Sequence, residues 1–138
     1  MKQIGIIGVG AIAQAYLKAV DDSGVARVAA IADIREAAVQ AAAETAGCKG
    51  FTDYRKMAEK MKLDAVILCT PPATHEEIAV YLLDRKIPVL CEKPLSIAEA
   101  SARRILEAGN RNGTLVAMAS KFRYVEDVIK TKSILASR

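Results

Sequence analysis

Four small or acidic residues, Gly8, Gly10, Ala13 and Asp33, are spaced so that a backbone turn, a helix start and a carboxylate meet at one place. The apolar run Ile4-Gly5-Ile6-Ile7 leads into Gly8-Val9-Gly10-Ala11-Ile12-Ala13, helix formers continue to Val20, and a second apolar stretch, residues 28–32, ends on the acid. A strand, a glycine-rich turn, a helix with Ile12, Ala15 and Tyr16 on one face, and a second strand are therefore expected. Gly8 permits a backbone conformation that a side chain forbids, while Gly10, lacking Cβ, lets a pyrophosphate approach the main chain. Ala13 is small where helix and strand pack closest. Free N–H groups around Ala11 and Ile12 would face the phosphates at the positive end of the helix dipole. In this setting G-x-G-x-x-A followed by an acid is the dinucleotide-binding fingerprint, with Asp33 accepting from the adenosine ribose hydroxyls. An S-adenosylmethionine site can pair the same turn with an acid, so this stretch alone leaves the nucleotide open.

The elements that must position this turn fit in a chain of 138 residues, the size of one ordinary domain, and 52% hydrophobic with 26% charged residues places it among globular proteins. No apolar run reaches the ~18 residues of a membrane span, and Met1-Lys2-Gln3 enters the first strand directly, so no membrane association and a cytoplasmic protein are expected. Cys48, Cys69 and Cys91 are far apart and odd in number, with one histidine in the chain, which favours free thiols and no metal site. The net charge of +4 is spread among acids, and only Lys121-Phe122-Arg123-Tyr124 interleaves basic and aromatic residues, so no nucleic-acid partner is expected.

Along the chain, helices are expected over residues 35–46, 54–61, 75–85, 97–108 and 125–136, and strands near 49–52, 65–69, 88–91 and 115–119. Gly47 and Gly109-Asn110 read as helix stops, and Thr52 or Asp53, Thr74 and Ser96 as caps. Six strands alternating with helices describe an α/β doubly wound parallel sheet, a Rossmann fold of order 3-2-1-4-5-6, with ligands at the carboxyl ends where the order reverses.

Three loops then follow strands at the same sheet edge: Gly8 to Ala13, Thr70 to His75, and Glu92 to Pro94. The combination Gly8-Val9-Gly10, Thr70-Pro71-Pro72-Ala73-Thr74-His75 and Cys91-Glu92-Lys93-Pro94 resembles the nicotinamide-dependent glucose-fructose oxidoreductase, inositol dehydrogenase and rhizopine-catabolism oxidoreductase family along the whole chain. The resemblance implies an NAD(P)-binding Rossmann domain over residues 1–120. Residues 121–138 would connect it to a larger, open-sheet α+β domain that supplies oligomer contacts and substrate walls. The sequence stops before such a domain, so a truncated or fragmentary chain is expected, binding cofactor without efficient turnover. The full-length protein would be a homo-oligomeric dehydrogenase moving hydride between nicotinamide and a sugar, polyol or related alcohol.

Carried over residue by residue, the resemblance makes Lys93 the catalytic lysine beside the nicotinamide. A cationic ring in a partly dry cleft would disfavour its charged form, with Glu92 opposing. It also implies a cis peptide before Pro94 and a nicotinamide-ribose wall of Thr70, Pro71 and Pro72. Gly8, Val9, Gly10, Ala11, Ile12, Asp33, Arg35, Thr70, Pro71, Pro72, His75, Glu92 and Lys93 are the cofactor-contact candidates. His75, at a helix start, is expected to bond locally or touch the cofactor rather than act as general base. Arg35 is evenly balanced between an adenine or ribose-phosphate contact and a solvated helix start. A carboxylate at Asp33 would repel a 2′-phosphate, which favours NAD, while Arg35 keeps NADP open. The rival readings are a non-catalytic nucleotide-binding sensor or scaffold and, more weakly, a methyltransferase.

Overall fold

The least polar stretches of the chain form the middle of the sheet, because a parallel strand covered by helices on both faces meets no water on either. In the computed structural model, which describes residues 1–137, β1 is Lys2–Ile7, β2 Ala26–Ala32, β3 Lys49–Phe51, β4 Ala65–Leu68, β5 Val89–Glu92 and β6 Val116–Ala119. The helices are α1 Ala11–Asp22, α2 Glu36–Ala46, α3 Tyr54–Lys60, α4 His75–Asp84, α5 Glu99–Asn112 and α6 Glu126–Ala136, with short 3-10 turns at Pro72–Thr74 and Lys121–Tyr124. All five strand pairs are parallel, in the order β3-β2-β1-β4-β5-β6. The fold and strand order expected from the sequence are those found.

Two apolar layers flank the sheet. Leu68, Ile78, Leu82, Leu83 and Ile105 gather on one side, and Ile6, Val9, Ala13, Ile31 and Val39 on the other. Each of the larger side chains among these, fully buried, contributes about 1.5–3 kcal/mol. The reversal between β1 and β4 opens the sheet's carboxyl edge, and the loops after these strands face each other there.

Several boundaries differ from expectation for local reasons. Gly109 does not stop α5, which runs on to Asn112 and ends at Gly113 with φ 58°. A Cβ on Gly109 would lie 3.0 Å from the Thr114 carbonyl oxygen and 3.1 Å from Val116 Cγ1, so its small size lets α5 approach β6. Ser96 is not the cap of α5; Ala98 holds that place without a side-chain bond. Thr74 precedes α4 but its hydroxyl donates to the Pro71 carbonyl and pairs with the Thr70 hydroxyl instead of capping, whereas Asp53 does cap α3 by accepting from the Arg55 N–H at 2.8 Å. On α1 the packed side is Ala13 and Val20 with Tyr16 and Leu17, and Ile12 stands exposed at the open helix start. Helix α6 buries none of its residues. Arg138, the last residue of the expected connecting segment, lies outside the described residues.

Candidate functional site

The first turn is fixed from below. Gly8 takes φ +88°, and a Cβ there would meet the Cys69 carbonyl carbon and the Thr70 nitrogen at 2.8 Å, so two strand-end loops pass one another with no room for a side chain. Its N–H donates to the Ala32 carbonyl at 2.8 Å. Gly10 differs: a Cβ built on it meets nothing within 4 Å. The space over Gly10 is open to solvent. Helix α1 starts at Gly10 with no side-chain cap. Among the described residues the N–H groups of Gly10, Ala11 and Ile12 find no acceptor. Unpaired donors at a helix start, beside a vacant Cβ position, fit the diphosphate of a dinucleotide.

Asp33 follows β2 and faces the turn. One carboxylate oxygen, Oδ2, accepts from the Val9 N–H at 2.9 Å, and Oδ1 from the Arg35 N–H at 2.9 Å. The Arg35 guanidinium adds a two-pronged contact at 3.0 Å on each oxygen. Held chiefly by Arg35, against the opposing effect of burial, the carboxyl drops to about 2. A carboxylate offers about four acceptor sites, and this one is filled. The free acceptor expected at Asp33 is thus covered by a side chain that is itself 61% exposed.

Two ties hold the Thr70 and Lys93 loops, one from helix α1 to the Lys93 loop and one between the two loops. The Tyr16 hydroxyl, on α1, donates to Glu92 Oε1 at 2.6 Å, and Glu92 Oε2 accepts from the Lys93 N–H at 2.9 Å. Glu92, expected at the cofactor, thus spends both oxygens inside the protein. His75 is completely buried, with Nε2 2.8 Å from the Thr70 carbonyl and Nδ1 3.1 Å from the Pro94 carbonyl and 3.2 Å from Cys91 Sγ. It exposes no surface and is not among the residues that line the crevice between the turn and the β4 loop. The local bonding weighed for it is what the geometry gives. Burial, then Glu92, pushes the Cys91 thiol up to about 12, so it is a neutral partner for the imidazole. The Lys93–Pro94 peptide is cis. Lys93 itself is exposed, and among the described residues its Nζ has no hydrogen bond or ion pair. The partly dry setting expected around Lys93 is not supplied by these residues.

Between the turn and the β4 loop lies a crevice of about 600 Å³, lined by Gly8, Gly10, Asp33, Arg35, Thr70 and Pro71 among others. A larger, shallower depression of about 740 Å³ sits at the β3 edge between α2 and α3, away from the three loops. The GFO_IDH_MocA family model, described as an oxidoreductase family with an NAD-binding Rossmann fold, matches residues 2–120. The chain belongs to this family. It is 38% identical over 108 residues to inositol 2-dehydrogenase 4 of Saccharopolyspora erythraea, covering 77% of this chain and 32% of that one. Glucose-6-phosphate 3-dehydrogenase of Bacillus subtilis is 30% identical, covering 98% of this chain and 38% of its own length. The WlbA dehydrogenase of Bordetella pertussis, solved with NADH and UDP-GlcNAcA, superposes with a TM-score of 0.96 at 23% identity, over 99% of this chain and 42% of that one. The chain spans 32–41% of the length of the first curated relatives it matches.

In this member of the oxidoreductase family, sequence reasoning missed several wall residues. Ile34, 91% exposed, stands beside Asp33 at the crevice mouth, and Cys69, Thr74, Tyr54 and Glu77 complete the far side. Tyr54 donates to Glu77 at 3.0 Å, and its phenol is pushed up to about 12 by burial and then by that carboxylate. Arg55 also pairs with Glu77. Only Ile34 carried a signal, as a large apolar residue outside the expected strand. Tyr54, Glu77 and Tyr16 are recognised through partners 23 or more positions away. Among the described residues no group of three or more His, Cys, Asp or Glu is placed to hold a metal, and no helix is long and apolar enough to cross a membrane.

Proposed function

We propose that the chain is the cofactor-binding half of a dehydrogenase that moves hydride between NAD and a sugar, polyol or related alcohol. The observation that carries this reading is the meeting of three groups at one sheet edge. These are the N–H groups at Gly10, Ala11 and Ile12 that find no acceptor among the described residues, the Asp33 carboxylate, and the exposed ammonium of Lys93 on a loop tied back to α1. The first would hold a diphosphate, the second a ribose diol once Arg35 swings aside, and the third would stand by the reacting hydroxyl. NAD when bound supplies the hydride acceptor. Lys93 then holds or passes the hydroxyl proton, and Thr70, Pro71 and Pro72 wall the path between the two ends. Relatives named for inositol and glucose-6-phosphate oxidation support the polyol and sugar class.

Residues 121–138 are proposed as the connection to a further domain that completes the substrate pocket and the oligomer. Exposed Phe122, Tyr124, Ile129, Ile134 and Leu135 support that role, since apolar side chains grouped on one segment mark a docking surface. Calorimetry of the chain with NAD, NADP and S-adenosylmethionine, beside an oxidation assay on inositol and sugar phosphates, tests the reading. NAD is expected to bind most tightly, with no appreciable turnover. Heat with S-adenosylmethionine and none with NAD would overturn it.

A further inference from the structure

Lys93 presents an exposed side chain on a loop whose neighbouring polar groups are engaged within the protein. On its amino side, Glu92 accepts the Lys93 N–H through Oε2 and the Tyr16 hydroxyl through Oε1. The 2.6 Å Tyr16–Glu92 contact is in the range of a charge-assisted O–H···O⁻ bond, the strong kind. It joins residues 76 positions apart, one on the helix that starts at Gly10 and one at the end of β5. Burial, followed by the Glu92 contact, raises the Tyr16 phenol, so it stays a donor. On the carboxyl side, His75 faces the Pro94 carbonyl while its other nitrogen faces Thr70. Because Glu92 is turned inward, it makes no ion pair with the neighbouring Lys93, whose ammonium stays free.

We propose that Tyr16 is a positioning residue for Lys93: through Glu92 it locks the Lys93 backbone to the helix whose start faces the diphosphate, fixing the distance between the phosphate and hydride-transfer ends of the site. This rests on the nucleotide reading above, and it assigns Glu92 a mechanical role in place of a cofactor contact. A purely electrostatic Glu92 would act by its charge. A mechanical one acts by its two acceptor positions, which a glutamine can fill by accepting from the Lys93 N–H and donating to the Tyr16 oxygen.

The test uses the whole 138-residue chain, with amide hydrogen exchange read by NMR and the lysines methylated with a ¹³C label. In the free chain, Tyr16→Phe and Glu92→Ala are expected to speed exchange at the Lys93 amide about tenfold, the loss of one hydrogen bond, while Ile6 and Leu68 amides stay as in the wild type. Glu92→Gln is expected to restore slow exchange. With NAD added, the Lys93 methyl signal is expected to shift in the wild type and Glu92→Gln chains and to stay at its free position in Tyr16→Phe. Unchanged Lys93 exchange in Tyr16→Phe, or a Glu92→Gln chain that behaves as Glu92→Ala, overturns the positioning role. Absence of any NAD response in the wild type overturns the nucleotide reading alone, since the exchange data in the free chain judge the tie by themselves.

Discussion

The crevice beside β1 and β2 is walled by groups that hold one another, whereas the loop bearing Lys93 is held only from behind. At the first place, Gly8 is pressed against Cys69 and Thr70 and Asp33 has all its acceptor sites filled. At the second, Tyr16 and His75 secure the backbone, yet the Lys93 side chain meets solvent and the following α6 buries nothing. The first turn is therefore held rigidly by the protein's own contacts, with Asp33 still covered by Arg35, whereas the Lys93 end is open. A site left open on one side needs further walls before water is excluded from it.

The sharpest way to break this contrast is Gly8→Ala. Left-handed backbone and overlap with the neighbouring loop together are expected to lower unfolding free energy by about 3 kcal/mol, read by urea denaturation; an unchanged midpoint would mean the crevice is not tightly built. Gly10→Ala separates shape from stability. Its Cβ enters open space, so the fold should persist while NAD affinity falls about ten- to hundredfold by calorimetry, the value of charge-assisted bonds to the phosphates. Equal NAD affinity in both chains would place the diphosphate elsewhere.

Arg35→Ala probes the covered carboxylate. Removing the guanidinium frees Asp33, so NAD affinity should hold or rise, while NADP binding weakens about tenfold through loss of the 2′-phosphate's cation. Parallel losses for both nucleotides would show that Arg35 contacts a group they share. The same ion pair gives an acid signature. Asp33 sits at about 2 in the folded chain against its ordinary 3.8, so its stabilisation is complete above the higher value and is lost as pH falls between them. Discounted for the exposure of Arg35, the loss is about 1 kcal/mol, and an Asp33→Asn chain should lack that slope in acid denaturation. Smallest of all is Lys93→Ala, expected to change unfolding free energy by less than about 0.5 kcal/mol because the residue is exposed and its Nζ bonds to no group among the described residues. A larger loss would show that the two ends of the site are equally built in.

Local pattern made much of this visible. The strand-turn-helix over residues 4–20, the acid after β2 and the proline-containing breaks after β4 and β5 are read from neighbours in the chain, and the sheet order followed from strand–helix alternation together with the dinucleotide fingerprint. Gly109 misled because a glycine that allows two elements to approach looks, in sequence, like a glycine that stops a helix. For His75 the local bonding weighed from its place at a helix start is present, but its partners, carbonyls of the Thr70 and Pro94-Leu95 loops and the Cys91 thiol, come together only in the fold.

What the amino-acid order determined by itself was the nucleotide-binding turn, the parallel sheet and the three loops at its edge, since each depends on interactions within a few residues or on the period of apolar side chains. Only the tertiary structure decided that Asp33 is covered by Arg35, that Glu92 belongs to Tyr16, and that His75 is interior. Those outcomes depend on which polar groups are left without water when strands and helices close together, and a hydrogen bond across 76 positions leaves no periodic trace in the chain.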